Sequence, residues 1–137
     1  VQEAATRYVI VVDDSKLCER IGATYPIPVE IAPIYAQRTM RRIAALPSLQ
    51  PCNARLRVGA APAGFPGAPV GNQDASPFVT DNGNFIVDIF PSGALADAAA
   101  AAVELTGTPG VMEHGLFVPR DSTTVLIGQA DGTVRKL

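Results

Sequence analysis

An α/β chain of two lobes is the fold the sequence predicts, and three features carry that reading. Residues 8–12 (YVIVV) form an unbroken β-branched run that leads into Asp13-Asp14-Ser15. From Pro28 to Val118 the hydrophobic patterns come in the order strand, helix, strand, strand, helix, strand. A further pair of strands lies beyond that series, at 124–129 and within 130–137. The βαββαβ order is that of the ferredoxin-like, split-βαβ plan. Residues 28–118 are therefore expected to form one four-stranded antiparallel sheet with two helices on one face. Residues 1–27 and 119–137 are expected to belong to another sheet.

The run at 8–12 has no polar alternation, which predicts a strand buried on both faces. Asp13, Asp14 and Ser15 are helix-capping types, so KLCERI (16–21) reads as a short helix stopped by Gly22. Pro26 and Pro28 break the chain and set the first lobe boundary. A strand is expected over 28–34 (PVEIAPI). A helix over 35–46 places Ala36, Met40, Ile43 and Ala44 on one face, with Arg38, Arg41 and Arg42 mostly off it, and Pro47 ends it. Residues 53–59 (NARLRVG) alternate like a half-buried strand. Residues 60–75, rich in Ala, Pro and Gly, read as a long exposed loop. The stretch at 77–90 (PFVTDNGNFIVDIF) reads as two extended arms about Asn82-Gly83, a strong hairpin signal. An alanine-rich helix over 94–106 ends at Gly107. GVMEHGLFV (110–118) is a strand, and so is 124–129. ADGTVRKL (130–137) is a turn with a last short strand.

The chain has 137 residues, is 47% hydrophobic and carries a net charge of −2. It can therefore bury a core, and its charge argues against nonspecific binding to nucleic acid or to an anionic membrane. No apolar run approaches the ~20 residues of a membrane span, and no signal peptide is read at Val1. Cys18 and Cys52 lie in unrelated contexts, without a CxxC motif or a disulfide framework. This favours a reduced, intracellular setting. The absence of an initiator Met suggests a chain processed or incomplete at its front.

Lys16 is the first candidate for chemistry. A strand that feeds a helix in an α/β sheet leaves its loop at the carboxyl edge, where ligands bind. A lysine in a first helical turn disfavours the helix by ~0.3–1 kcal/mol, a sign that a bound anion would reverse. With two lysines against nine arginines, Lys16 is no by-product of composition. A solvated lysine, or one paired with Asp13 or Asp14, is the plain alternative. TDNGN (80–84) offers hard oxygen ligands but lacks the EF-hand spacing, and a turn whose Asx side chains satisfy local groups is the better reading. Asp88 is either paired and buried or exposed. His114 is the only histidine and cannot build a zinc site by itself, so it reads as structural. Cys18 reads as core. Glu3, Asp13, Asp14 and Glu19 are candidate general bases with no evident partner.

The segments VVDDSKL, PIPVEI, SPFVTDNGNFIVDIF, GVMEHGLFV, VLIG and DGTV, in that order, resemble ribose-5-phosphate isomerase of the A type, in its carboxyl-terminal part only. The most specific matches are V-D-x-S-K, P-x-P-V-E, V-T-D-N-G-N and G-V-x-E-H-G-L-F. The resemblance implies an aldose–ketose isomerase without metal or cofactor, which interconverts ribose 5-phosphate and ribulose 5-phosphate through an enediolate. It implies that the catalytic carboxylate and glycine-rich phosphate loop lie in an upstream half whose motifs this sequence lacks, so no catalytic residue is expected in this chain. Glu3 is not that base, since Gln2 and Ala4 do not match its neighbours. The one substrate-binding residue that carries over is Lys16, near the phosphate. The resemblance also implies a Rossmann-like lobe, to which 1–27 and 119–137 contribute, with the ferredoxin-like lobe inserted. Its expected partners are the phosphosugar, the upstream half and further copies of the chain in a dimer or tetramer. Its expected location is the cytoplasm or the plastid stroma. A noncatalytic ferredoxin-like binding or oligomerisation module is the competing reading.

Overall fold

The computed structural model describes residues 4–59, 76–119 and 122–137. The expected loop at 60–75 and the acid Glu3 lie outside the described residues. The elements are β1 (Tyr8–Asp13), β2 (Ile27–Ile31), α1 (Ala36–Ile43), β3 (Cys52–Leu56), β4 (Phe85–Pro91), α2 (Ala98–Thr106), β5 (Val111–His114), β6 (Thr123–Gly128) and β7 (Val134–Lys136). They fall into two compact units, Val1–Glu19 with Val118–Leu137, and Arg20–Phe117. Residues 20–27 thus group with the second unit.

The second unit holds a four-stranded sheet in the order β3-β4-β2-β5, with every neighbouring pair antiparallel. That is the ferredoxin-like order. β2 (IPVEI) alternates strictly, with Ile27, Val29 and Ile31 buried and Pro28 and Glu30 partly buried. Val29 faces Val87 and Ile27 faces Ile89 on β4, so these four build one apolar face. Both helices cover it: Ala36 and Ile43 of α1, and Ala101 and Leu105 of α2, join the same core with Leu49 and Leu116. Fully buried isoleucines and leucines such as Ile31, Ile43, Ile89 and Leu105 each contribute roughly 1.5–3 kcal/mol. α2 begins at a true cap, because Asp97 accepts a hydrogen bond from Ala100 N at 2.9 Å. It therefore starts four residues later than the sequence pattern suggests. α1 starts from Tyr35, whose φ of 56° is left-handed and which makes no side-chain cap bond. α1 is a turn shorter than expected at its far end, and Pro47 opens a 3-10 turn over Pro47–Leu49.

The arms expected at 77–90 are uneven. β4 is regular, but Pro77 and Val79 make only isolated bridges, to Val58 and Phe85. Thr80 O accepts from Gly83 N at 2.8 Å, so Asp81-Asn82 occupy the turn and Gly83, at φ 77°, follows it. This is the longer, bulged hairpin rather than a two-residue Asn-Gly turn.

The first unit is a three-stranded sheet in the order β1-β6-β7, with β1 parallel to β6 and β7 antiparallel. β1 corrects two expectations. Its burial alternates instead of being complete, and Val9 and Val11 stand 41% and 73% exposed. The helix expected over 16–21 does not form: only Asp14–Lys16 make a 3-10 turn, and Leu17 is already extended at ψ 134°. Six residues cannot offset the cost of helix nucleation without a packed face. Gly22, expected as that helix's stop, sits in a turn at φ 80°. Cys18, expected in the core, is exposed.

Candidate functional site

At the carboxyl end of the parallel pair Asp13 lies opposite Gly128. Two loops leave that edge, Asp13–Lys16 and the 129–133 turn. Asp13 accepts from Ser15 N at 2.9 Å and also from the Ser15 hydroxyl. These bonds, and then the nearby Lys16 ammonium, hold the Asp13 carboxyl below its usual range. An acid so stabilised as its anion is a weaker base, which disfavours Asp13 as a proton acceptor. Its work is to fold the turn that presents Lys16 at the surface. Lys16 thus keeps its place at the strand's carboxyl edge, but the helix-dipole reason for an anion there is gone. Asp14 lies within the 3-10 turn and Glu19 is exposed beyond it.

The facing turn is DGTV (131–134). Gly132 N donates to Gln129 O at 3.0 Å, and Thr133 N and Oγ1 donate to Asp131 Oδ1 at 2.9 and 2.6 Å. Those bonds lower the Asp131 pKa.

In the second unit two polar groupings occupy the sheet face away from the helices. Glu30 Oε1 accepts from Thr80 Oγ1 at 2.7 Å, from Asn84 Nδ2 at 3.0 Å and from Asn82 Nδ2 at 3.5 Å. These donors, Thr80 foremost and then Asn84, pull the Glu30 pKa below the ordinary value. The TDNGN turn is therefore a clasp on Glu30, which the sequence reading missed. The clue lay in the alternation of β2, which turns Glu30 away from the core between Val29 and Ile31. Asp88 is 5% exposed and takes a bidentate pair from Arg57, Nε to Oδ2 at 2.9 Å and Nη2 to Oδ1 at 2.5 Å. This resolves the two options left open for Asp88.

His114 has both ring nitrogens engaged. Nδ1 accepts from Leu116 N at 3.3 Å, and Nε2 lies 3.1 Å from Thr106 Oγ1, whose own hydrogen goes to Ala102 O. The ring is thereby set as the Nε2-protonated form that ties β5 to α2. Among the described residues no group of three or more His, Cys, Asp or Glu is placed to hold a metal.

A parallel strand pair with its loops at the carboxyl edge, and a ferredoxin-like unit inserted between those strands in sequence, define a two-unit α/β protein. The chain belongs to the ribose 5-phosphate isomerase A (phosphoriboisomerase A) family, which its residues 1–132 match. It is 36% identical over 132 residues to ribose-5-phosphate isomerase A of Natronomonas pharaonis, covering 96% of this chain and 50% of that one. Ribose 5-phosphate isomerase from Plasmodium falciparum superposes with a TM-score of 0.76 at 29% identity, over 96% of this chain and 50% of that one. A D-ribose-5-phosphate isomerase in complex with phospho-erythronic acid gives a TM-score of 0.70 at 29% identity, over 96% and 49%. The chain spans about half the length of the curated relatives it matches.

Proposed function

We propose that this chain is the carboxyl-terminal half of an aldose–ketose isomerase that interconverts ribose 5-phosphate and ribulose 5-phosphate, and that Lys16 binds the substrate phosphate. The observation that carries this reading is the position of Lys16. It follows a turn built by Asp13 and Ser15 at the carboxyl end of a parallel pair, the edge at which α/β sheets take ligands. A similar protein binds phospho-erythronic acid, itself a phosphorylated sugar acid. The reaction moves a proton between C2 and C1 through an enediolate. A carboxylate moves the proton and polar groups hold the developing oxyanion. The resemblance to the family assigns both to an upstream half, and it is consistent with this that Asp13 and Asp131 of the first unit are occupied in building turns.

The same reading makes β1, β6 and β7 part of a larger Rossmann-like sheet. β1 is an edge strand of apolar sequence with Val9 and Val11 exposed, which is the surface an added strand and helix would cover. The second unit is the inserted lobe, and the assembled protein is a dimer or tetramer. Among the described residues no helix is long and apolar enough to cross a membrane. Unpaired Cys18 and Cys52 support a reducing compartment, cytoplasm or plastid stroma.

An isomerase assay tests the reading. The 137-residue chain alone is expected to leave ribose 5-phosphate unchanged, and addition of the upstream half of a relative is expected to restore turnover. Turnover by the chain alone would mean that one of its own acids is the base.

A further inference from the structure

We propose that the outward face of α1, with the groove at its end, is a docking surface for an acidic peptide segment of a partner protein that carries one apolar anchor residue. Ala36, Thr39 and Ile43 of α1 are buried, so its opposite side faces solvent. There Arg38, Arg41 and Arg42, all exposed, follow one another at i, i+3 and i+4 and are neighbours on the helix surface. Like charges at that spacing repel, and among the described residues no acid is paired with any of the three. Arg41 and Arg42 lie in the last turn of α1, where the helix dipole offsets part of their charge, whereas Arg38, a turn earlier, has no such offset.

Two further observations lie on the same face. Ile34 and Tyr35, 70% and 75% exposed, head the stripe. Tyr35 is the one non-glycine residue with positive φ among the described residues, and strain of that kind clusters at binding surfaces. At the other end, Arg42 and Ala45 border a shallow groove that runs along Leu46, Pro47, Glu104 and Thr108 and is lined chiefly by apolar atoms; its one acid, Glu104, already accepts from Ser48 N at 3.1 Å. Tyr and Arg are the residues most enriched where proteins meet. An anchor residue in the groove leaves the acids of the same segment beside Arg42, Arg41 and Arg38. The opposite charge of the partner is fixed by the stripe, and its apolar element by the groove and by Tyr35.

The test reads binding rather than isomerisation, so it stands apart from the assay above. The probe is a labelled peptide of glutamates around a single leucine, titrated with the intact chain. Binding should weaken as salt rises. Each of Arg38→Gln, Arg41→Gln and Arg42→Gln should weaken it by about two- to fivefold, the scale of exposed ion pairs. The charge-reversed Arg38→Glu/Arg42→Glu protein should not bind at all, with its helical circular dichroism unchanged. Replacing the peptide's leucine by glycine should also weaken binding. The proposal is overturned if the peptide fails to bind, or if the arginine variants bind as the parent does. It is overturned equally if inorganic phosphate at matched ionic strength displaces the peptide fully, which would make the stripe an anion site. Self-association that is lost in the arginine variants would assign the face to a second copy instead.

Discussion

An ammonium that meets a phosphate dianion makes a charge-assisted hydrogen bond worth about 1.5–3 kcal/mol. If Lys16 makes that bond, Lys16→Ala in the complete enzyme should lower kcat/KM by roughly ten- to a hundredfold. The phosphate is remote from C1 and C2, so most of the loss should appear in KM. Unchanged affinity for ribose 5-phosphate would return Lys16 to the solvated surface lysines. Glu30 makes a different prediction. Its folded pKa lies below the unfolded one because Thr80 and Asn84, then Asn82, donate to its carboxylate. Its stabilisation is therefore complete above the ordinary glutamate value of about 4.3 and is lost as pH falls through the lower, folded value. Glu30→Gln should be less stable at neutral pH, and its urea midpoint should fall less on acidification. Parallel curves for the two proteins would show that the clasp carries no linkage. The place of Lys16 at the end of a strand was legible, because the apolar run at 8–12 is a local signal. Glu30 was not, since its partners lie fifty or more residues away in sequence.

Elements were legible where local pattern and tertiary packing agree. β2, with its strict alternation, and α1, with Ala36 and Ile43 on one side, formed within a few residues of their expected bounds. The helix after β1 did not form, because its capping residues came without the packed face a short helix needs. Asp13 uses its side chain on Ser15 to close a turn instead. The late start of α2 has a similar cause: alanines favour helix everywhere, and only Asp97 marks the boundary. A connection between elements gives the sharpest test at this scale. Gly110, between α2 and β5, has φ 96°, and a Cβ there would stand 2.6 Å from Thr39 Oγ1 on α1. Gly110→Ala should cost about 1–3 kcal/mol of stability through backbone strain and displacement of α1. Chemical denaturation measures it, and an unchanged midpoint would mean that α1 does not pack against this turn.

Across the whole molecule the two units differ in how much they bury. The second unit holds nearly all the fully buried side chains, whereas Ile127 is the only one in the described part of the first. In the chain alone, the amides of β2 and β4 should therefore exchange with solvent far more slowly than those of β1 and β7. Equal protection throughout would show that the first sheet is stable without further cover. The order of β1 and β6 in the chain also fixes an order in time. Tyr8 pairs with Thr123, so β1 leaves the ribosome long before its partner exists. Closing so long a loop from an unfolded chain carries a large entropic cost. If the second unit condenses first, it replaces most of that loop by a folded body, and the pairing of β1 with β6 becomes the late step. Until then the edge of this apolar strand that β6 will take stays open. That interval, rather than any property of the finished fold, is when this chain is most exposed to aggregation and most in need of a chaperone.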